Sequence, residues 1–297
     1  MEAISVKLDT RPSLLLPGRQ ESIVIPLGDI QLDPPRKGQP RRAHLRRLTE
    51  TIEWGVANGA YFIGMGDYVD VMSPSNRAVI RSARLYDTVR DTLDQQAEET
   101  QEELHELLAA TRGRWLGLVE GHHFYPYDDG DTTDTRLAAY LGCPFLGTSA
   151  TIVARQEVEG HRRQPVFKFD VWHGEGSGQT AAAPLNRLER RVGEREADVY
   201  LMGHYHRRAA VPKPRLDTIG GERGGTPEVV HRDRWLVSTG SFMRAYLQGS
   251  RGEGRAQGSY VEKAGLPPAG LGAMAVFIRP RIQGEGYVMV DISVLAL

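Results

Sequence analysis

The stretch AYFIGM at residues 60–65, followed by GDYVD at residues 66–70, decides the predicted fold. The first six residues are largely apolar and predict a buried strand, and the Gly-Asp pair places a polar group at its tip. The run SIVIPL at residues 22–27 is likewise followed by Gly-Asp, and the run WLGLV at residues 115–119 is followed after one residue by Gly-His-His. Alternation of such strands with helices predicts an α/β core with its site at the carboxyl edge of the sheet.

The remaining elements complete this pattern. Segments typical of helices are residues 42–57, 77–110 and 184–196. Further strands are predicted at residues 151–158, 165–172, 198–202, 229–238, 273–278 and 287–292, with a polar turn at 159–161. Glycine-rich stretches at 219–226 and 249–258 predict exposed loops. With no internal repeat and no linker, residues 1–297 are predicted to form one domain, with a helical insertion around 77–112 and irregular loops around 207–272.

Composition excludes several classes of protein. The 37 basic and 38 acidic residues give a net charge of -1, so no global charge indicates a nucleic acid or acidic membrane partner, although a local basic face stays open. The single cysteine, Cys143, excludes an intrachain disulfide framework. No apolar stretch reaches the roughly 18 residues needed to span a bilayer. The sequence therefore predicts a cytoplasmic protein without a membrane partner, and it does not specify an oligomeric state.

Five polar clusters follow predicted strands, and each has a glycine beside the polar group: residues 28–31, 66–70, 121–123, 172–174 and 203–206. Glycine allows a tight turn that can present side chains from a strand tip. Carboxylates, imidazoles and one amide suit divalent manganese, iron, zinc or nickel, whereas a single cysteine excludes a zinc-thiolate knot. The competing interpretations are a helix N-cap for an aspartate and a surface or core position for a histidine, and the latter is adopted for His44, His105, His161 and His231.

The order of these clusters resembles that of the calcineurin-like metallophosphoesterases, D-x-H, G-D-x-x-D, G-N-H-[DE], H and G-H-x-H. The matching residues here are Asp29-x-Gln31, Gly66-Asp67-x-x-Asp70, Gly121-His122-His123, His173 and Gly203-His204-x-His206. The resemblance runs from about residue 22 to 240. It implies a four-layer α/β/β/α sandwich, with two mixed β-sheets flanked by helices, and a centre of two divalent metal ions, with manganese favoured.

The resemblance also implies a role for each residue. The first metal would be held by Asp29, Gln31, Asp67 and His206, and the second by Asp67, His122, His173 and His204, so that Asp67 bridges the two. His123 would contact the substrate phosphate and protonate the leaving group, with Asp70 as a supporting residue.

Three positions depart from the family pattern. Gln31 replaces a histidine at the first metal, and its neutral amide oxygen is a weaker donor for these ions than imidazole. His122 replaces an asparagine at the second metal and is the stronger ligand of the two. Phe124 stands where an acid often follows, so that acid is not present to pair with His123.

The predicted function is a metal-dependent phosphoesterase. Two cations roughly 3.5–4 Å apart can stabilise both the attacking and the leaving oxygens, and can activate a water molecule shared between them. A phosphodiesterase or nuclease acting on nucleic acid or a nucleotide is the first interpretation. The alternatives are a phosphomonoesterase or protein phosphatase of the same fold, a one-metal enzyme with only the second site filled, and a non-catalytic binding or scaffold module.

Residues beyond the five clusters offer fewer indications. Asn76, Arg77 and Arg244 are candidates for phosphate contact, against a helix cap or a solvated arginine. The basic run at residues 41–47 could meet a nucleic-acid backbone, but without interleaved aromatic residues a solvated helix face is the favoured interpretation. Substrate specificity is expected to lie in the loops after the motifs, in 77–112 and in 207–272.

Overall fold

The computed structural model describes residues 1–36, 38–83, 86–158, 164–219, 226–252, 255–283 and 287–297. The strands in these residues are β1 (Glu2–Asp9), β2 (Arg11–Pro12), β3 (Gln20–Leu27), β4 (Tyr61–Gly64), β5 (Trp115–Leu118), β6 (Ser149–Glu157), β7 (Val166–Trp172), β8 (Val199–Met202), β9 (Arg208–Ile219), β10 (Glu228–Thr239), β11 (Arg251–Gly252), β12 (Arg255–Ala256), β13 (Met274–Gln283) and β14 (Tyr287–Ala296). The α-helices are α1 (Leu45–Ala57), α2 (Pro74–Ser82), α3 (Asp87–Leu108), α4 (Thr133–Leu141), α5 (Ala183–Glu194) and α6 (Tyr260–Lys263).

Two mixed sheets carry most of these strands. The first sheet has the order β1-β6-β7-β8-β10-β9, and the second has the order β14-β13-β3-β4-β5, with β2 added beside β3. Strands β7, β8 and β10 run parallel in the first sheet, as do β3, β4 and β5 in the second. The carboxyl ends of these six strands are therefore where polar loops can gather.

Side-chain alternation along the strands builds the layers. On β8, Val199 and Leu201 pack into the core between the two sheets, whereas Tyr200 and Met202 pack with Leu188 of α5 on the outer face. On the second sheet, alternate residues of β3 and β4 face an outer core that contains residues from three helices: Leu48 and Ile52 of α1, Leu104 and Leu108 of α3, and Leu137 of α4. Helices thus cover the outer face of each sheet, and the predicted α/β/β/α architecture is confirmed.

The structure departs from the predicted elements in several places; for example, helix α4 was not predicted, and the short strands β11 and β12 lie in a stretch predicted as a loop. The segment 77–110 forms two helices, α2 and α3, rather than one. Strand β1 was not predicted, and it adds the edge of the first sheet by pairing in parallel with β6. In place of irregular loops from residue 207, strand β9 forms a twelve-residue antiparallel ladder with β10, because its alternating polar and apolar residues suit an edge strand.

Other predictions fall partly outside the described residues. The polar turn at 159–161, with His161, lies there, as does most of the glycine-rich stretch 219–226. The other histidines that were assigned a surface or core position lie outside the candidate site. His44 caps α1, His105 stacks on Tyr140 and His231 is exposed on β10. None of the helices in the described segments is both long and apolar enough to cross a membrane.

Candidate metal centre

The five polar clusters meet at one edge of the sandwich. Asp29 and Gln31 follow β3, Asp67 follows β4, and His122 follows β5, so these residues come from the second sheet. His173 follows β7, and His204 and His206 follow β8, so the remaining three come from the first sheet. The edge is therefore assembled from both sheets, by loops that are far apart in sequence; Gln31 and His206, for example, are separated by 175 positions.

The backbone is unusual at this edge. Within the described ranges, only five non-glycine residues have a left-handed φ: Asp29 (47°), Gln31 (46°), Asp67 (53°), His204 (65°) and His206 (52°). All five are residues that the sequence predicts as metal ligands. Such conformations cost of order 1–3 kcal/mol each and persist where the surroundings demand them, which makes them indicators of a functional site.

Two glycines allow the strand tips to come this close. A Cβ atom added to Gly203 would lie 2.6 Å from Oδ2 of Asp29, and one added to Gly121 would clash with the backbone nitrogen of Asp67. Without a side chain at Gly203, the carboxylate of Asp29 can accept a hydrogen bond from the backbone N–H of His204, with 2.9 Å between the nitrogen and Oδ2. The glycine of each motif is thus needed for close packing between loops.

The predicted second site brings four donors together. One ligand atom from each of Asp67, His122, His173 and His204 lies within 4.8 Å of the other three. Nε2 of His173 is 3.3 Å from Oδ2 of Asp67, and Nδ1 of His122 is 3.3 Å from Nδ1 of His204. One carboxylate and three imidazoles in this arrangement form a set of ligands suited to a divalent metal ion.

Hydrogen bonds to the backbone orient two of these imidazoles. Nδ1 of His173 is 2.6 Å from the carbonyl oxygen of Met65, which leaves Nε2 for the cluster. Nε2 of His204 is 2.8 Å from the carbonyl oxygen of Gly176, which leaves Nδ1 for the cluster. Nε2 of His173 is buried, and the group beside it is Oδ2 of Asp67, 3.3 Å away. An imidazole held in this way through its other nitrogen is typical of a metal ligand.

The predicted first site is also assembled, around Gln31. The side-chain Nε2 of Gln31 lies 3.4 Å from Oδ2 of Asp67 and 3.3 Å from Nε2 of His206. Nε2 of His206 is in turn 3.2 Å from Oδ1 of Asp29. Oε1 of Gln31 is buried, and no group in the described segments bonds to it. Rotation of the amide by 180° would turn Oε1 toward Asp67 and His206, where it could face a cation.

Burial and mutual charge set the protonation of the imidazoles. Burial, and then the neighbouring His173, lowers the pKa of His122 to about 4. The same two causes lower the pKa of His204. Burial acts in the same direction on His173, but the charges of Asp67 and Asp29, together with hydrogen bonds to Asp67 and Met65, outweigh it and raise the pKa of His173 to about 9. His122 and His204 therefore present neutral imidazoles, the form that binds metals, whereas His173 must release a proton to bind one.

His123 stands beside the cluster rather than in it. Its Nδ1 is 2.8 Å from Oδ1 of Asp70, and its Nε2 is 4.0 Å from Oδ2 of Asp67. Burial by itself lowers the pKa of His123, but the hydrogen bond to Asp70 and the charge of Asp67 raise it above its usual value. The acid that Phe124 replaces is not present to pair with His123, and Asp70 supplies an acidic partner from another loop instead.

Asp70 is itself supported by Arg42, whose Nη2 lies 2.6 Å from Oδ2 of Asp70. The sequence did not single out Arg42, which belongs to the basic run interpreted as a solvated face. That interpretation fits Arg46, whose side chain is 85% exposed and pairs with Glu50. Two arginines of the same basic run therefore have different roles. Sequence alone could not separate them, because the role of Arg42 depends on the loop before α1 lying beside Asp70.

The three candidates for phosphate contact lie elsewhere. Asn76 is exposed on α2, where its backbone N–H donates to the capping Ser73. Nη1 of Arg77 donates to the carbonyl oxygens of His122 and Phe124 at 2.7 and 2.9 Å, so this side chain braces the loop that carries His122. Arg244 donates through Nη2 to the backbone of Arg41.

Comparisons with known proteins add little to this geometry. No family model matches the chain, and no curated protein matches it. Among solved structures, wild-type Vps29 from Entamoeba histolytica complexed with zinc is 11% identical, over 92% of this chain and 98% of that one, with a TM-score of 0.36. Vps29 from Chaetomium thermophilum is 10% identical, over 93% and 96%, with a TM-score of 0.32. Likenesses this weak carry no argument about function.

Proposed function

We propose that this protein is a metal-dependent phosphoester hydrolase whose centre lies at the edge where the five loops meet. The main support is the backbone. The five left-handed non-glycine residues of the described chain are Asp29, Gln31, Asp67, His204 and His206, all of them predicted ligands. A structural role alone gives no reason for strain to gather at these positions. The resemblance of the motif order to calcineurin-like metallophosphoesterases supports the same conclusion.

The residues fit two divalent cations that share Asp67. Oδ1 of Asp67 accepts the backbone N–H groups of His122 and His123, so Oδ2 is the oxygen directed toward both groups of ligands. Divalent cations bound there would supply Lewis-acid polarisation of the phosphate and an acidified water molecule. Manganese is the first ion to test, since carboxylate, amide and imidazole donors together accommodate it.

In this proposal His123 moves a proton. Its Nδ1 is engaged with Asp70, so Nε2 is the atom that faces the cluster, and a proton held there can pass to the leaving oxygen of the ester. Asp70 and Arg42 hold the ring in position. Burial lowers the pKa of His123, but the hydrogen bond to Asp70 and the charge of Asp67 raise it above its usual value, which favours the protonated form that a general acid requires.

Among phosphoester hydrolases we favour a phosphodiesterase that acts on a small substrate over a nuclease that acts on a nucleic-acid strand. Recognition of a nucleic-acid strand needs cations that follow its backbone. Arg207 lines the cleft that contains Gln31, Asp67 and His206, and it donates to the carbonyl oxygen of Gln179, whereas Arg42 pairs with Asp70. A small phosphate ester fits this charge distribution better than a long anionic strand.

The test joins metal content to hydrolysis. The purified full chain and its Asp67→Asn variant would be loaded with manganese, analysed for metal per chain, and assayed on bis-p-nitrophenyl phosphate and p-nitrophenyl phosphate. Asp91→Asn, which alters an exposed carboxylate on α3, is the matched control. We expect two ions per chain and hydrolysis in the parent and the control, and loss of both in Asp67→Asn.

The other outcomes separate the alternatives. One ion with full hydrolysis would establish the one-metal enzyme that the weak donor Gln31 favours. Bound metal without hydrolysis of either ester would leave a metal-binding scaffold. No metal binding at all would refute the proposal.

A further inference from the structure

One side of the cleft above the metal centre is apolar. The cleft has a volume of about 250 Å³ and is floored by metal-centre residues that include Gln31, Asp67 and His206. Its apolar side, here called the apolar wall, consists of Ala245, Val261, Leu266, Pro267 and Ala269. Neither the metal ligands nor the proton donor requires an apolar surface at this place, so the wall needs an explanation of its own.

The residues of the apolar wall are fixed by packing and by hydrogen bonds within the protein. Ala245 and Val261 are buried together with Met243, and Leu266 packs against this group. The backbone N–H of Leu266 donates to the carbonyl oxygen of Val261 at 3.0 Å. The hydroxyl of Tyr246 donates to the carbonyl oxygen of Leu266 at 2.6 Å. These contacts hold the wall in place before any ligand binds, which lowers the cost of binding.

The wall is also fixed to the metal centre. The backbone N–H of Gly270 donates to the carbonyl oxygen of His206 at 2.7 Å, one residue beyond the last member of the wall. The wall therefore begins next to a predicted ligand of the first metal. A group attached to a phosphate held at the centre would meet the wall directly.

Tyr205 also lines the cleft, beside Gly176 and Gly178. A Cβ atom on Gly176 would lie 3.3 Å from the hydroxyl of Tyr205, and one on Gly178 would lie 3.6 Å from its ring. The two glycines thus leave the ring of Tyr205 accessible from the cleft. Aromatic rings pair favourably with flat groups, so the ring and the wall together suit a flat apolar group.

The charges that line the cleft also favour an apolar group over a second anionic one. Apart from the histidines of the centre, Arg207 is the cationic residue among the described residues that line this cleft, and its Nη2 donates to the carbonyl oxygen of Gln179 at 2.6 Å. This bond holds the guanidinium without neutralising it, so a second anionic group on the substrate would have this single cation to balance it. An apolar group would instead gain roughly 25 cal/mol for each Å² it buries.

We propose that the substrate is a small phosphate ester with a flat, apolar organic group, which lies on the apolar wall in the cleft that Tyr205 also lines, while its phosphate occupies the metal centre. This inference rests on the proposed hydrolase function. A nucleotide and a nucleic-acid strand, whose sugar and additional phosphates are polar, are the competing occupants.

Binding can be measured independently of catalysis. Phenylphosphonate and methylphosphonate carry the same anionic head and differ only in the apolar group. We expect the manganese-loaded full chain to bind phenylphosphonate at least about tenfold more tightly in a calorimetric titration. Equal affinities, or no binding of phenylphosphonate, would overturn the inference.

Two variants locate the effect. Leu266→Ser removes an apolar surface, and Ala269→Phe fills the cleft with bulk, so both should reduce the phenyl-to-methyl preference to less than about threefold. Leu216→Ser, at a residue 66% exposed on β9, is the matched control and should keep the preference. Because one variant adds a side chain and the other shortens one, misfolding of Leu266→Ser alone would leave the question answerable. A preference unchanged in Ala269→Phe would place the phenyl group elsewhere.

Hydrolysis then separates this inference from the proposed function. Phenyl, methyl and 5′-thymidyl esters of p-nitrophenyl phosphate share one leaving group. We expect kcat/KM to be highest for the phenyl ester, by at least about tenfold. Hydrolysis with a preference for the thymidyl ester, or with none, would keep the hydrolase and overturn the apolar site. Preferential binding of phenylphosphonate without hydrolysis of any ester would support the apolar site and overturn the proposed hydrolase function.

Discussion

The two halves of the metal centre share Asp67 but differ in their other ligands. The half that contains His122, His173 and His204 offers three imidazoles, two of them oriented by backbone carbonyl oxygens. The other half offers Asp29, His206 and the amide of Gln31, whose oxygen is buried without a hydrogen-bond partner in the described part of the chain. Here they are called the imidazole half and the amide half. The difference leads us to expect a preorganised ion site in the imidazole half and a weaker one in the amide half.

The largest expected effect comes from breaking the imidazole half. His173→Asn keeps a side-chain N–H that can donate to Met65 but removes the nitrogen directed at Asp67. We expect the chain to lose its tighter metal ion and the rate of hydrolysis to fall on the order of 1000-fold. Elemental analysis and an ester assay measure both. His105→Asn, on α3, is the control, and a variant that kept both the ion and the rate would show that the imidazole half is not the stronger one.

Asp134 tests the support beneath the same half. Its Oδ2 accepts the backbone N–H of Gly121 at 3.1 Å, and burial raises its pKa from 3.8 to about 7. A raised pKa means that Asp134 stabilises the fold fully below pH 3.8 and that this contribution is lost as the pH rises through 7. At about 1.4 kcal/mol per pH unit, the total is about 4 kcal/mol.

Asp134→Asn should therefore gain stability relative to the parent as the pH rises from 4 to 7, in protein kept free of metal by chelator. Urea unfolding at several pH values measures the difference in the free energy of unfolding. Asp91→Asn, at an exposed site on α3, should show no such trend. A constant difference between Asp134→Asn and the parent across this range would contradict the prediction.

A smaller effect is expected from strengthening the amide half. Gln31→His replaces an amide oxygen by imidazole, and manganese should bind the weaker site about tenfold more tightly. Gln31→Ala should weaken the same site by at least that factor. Calorimetric titration resolves the two sites, and the affinity of the tighter one should stay the same in both variants. Identical titrations for Gln31→His and the parent would show that Gln31 is not what distinguishes the halves.

The smallest effect is expected at Arg42, which acts on His123 only through Asp70. Arg42→Met removes the 2.6 Å ion pair and should lower kcat about fivefold without changing metal content or KM. Arg46→Met, in the same basic run but exposed, should leave kcat as it is. A change in metal content in Arg42→Met would mean that this arginine supports the ligands rather than the proton donor.

Local sequence was sufficient where function depends on strand tips. The Gly-Asp and Gly-His pairs mark the ends of buried strands, so an α/β core with polar residues gathered at one edge could be predicted from one sequence, whereas the four layers followed only from the resemblance of the motif order. The pairing of His123 with Asp70 could not be predicted, because it joins loops 53 residues apart and depends on how the strands are ordered. Nor could the apolar wall, since its residues are scattered from 245 to 269 without any period and become a surface only after packing.

The origin of the ligands in both sheets has a consequence for the rate of unfolding. Asp29 and Asp67 belong to the second sheet, and His173 and His206 to the first, so a bound ion joins the two layers at one edge. Parting the sheets, which would expose the core between them, then requires that ligands be released first. We expect a bound metal ion to slow unfolding more than it speeds folding, because its ligands come together only once both sheets are in place.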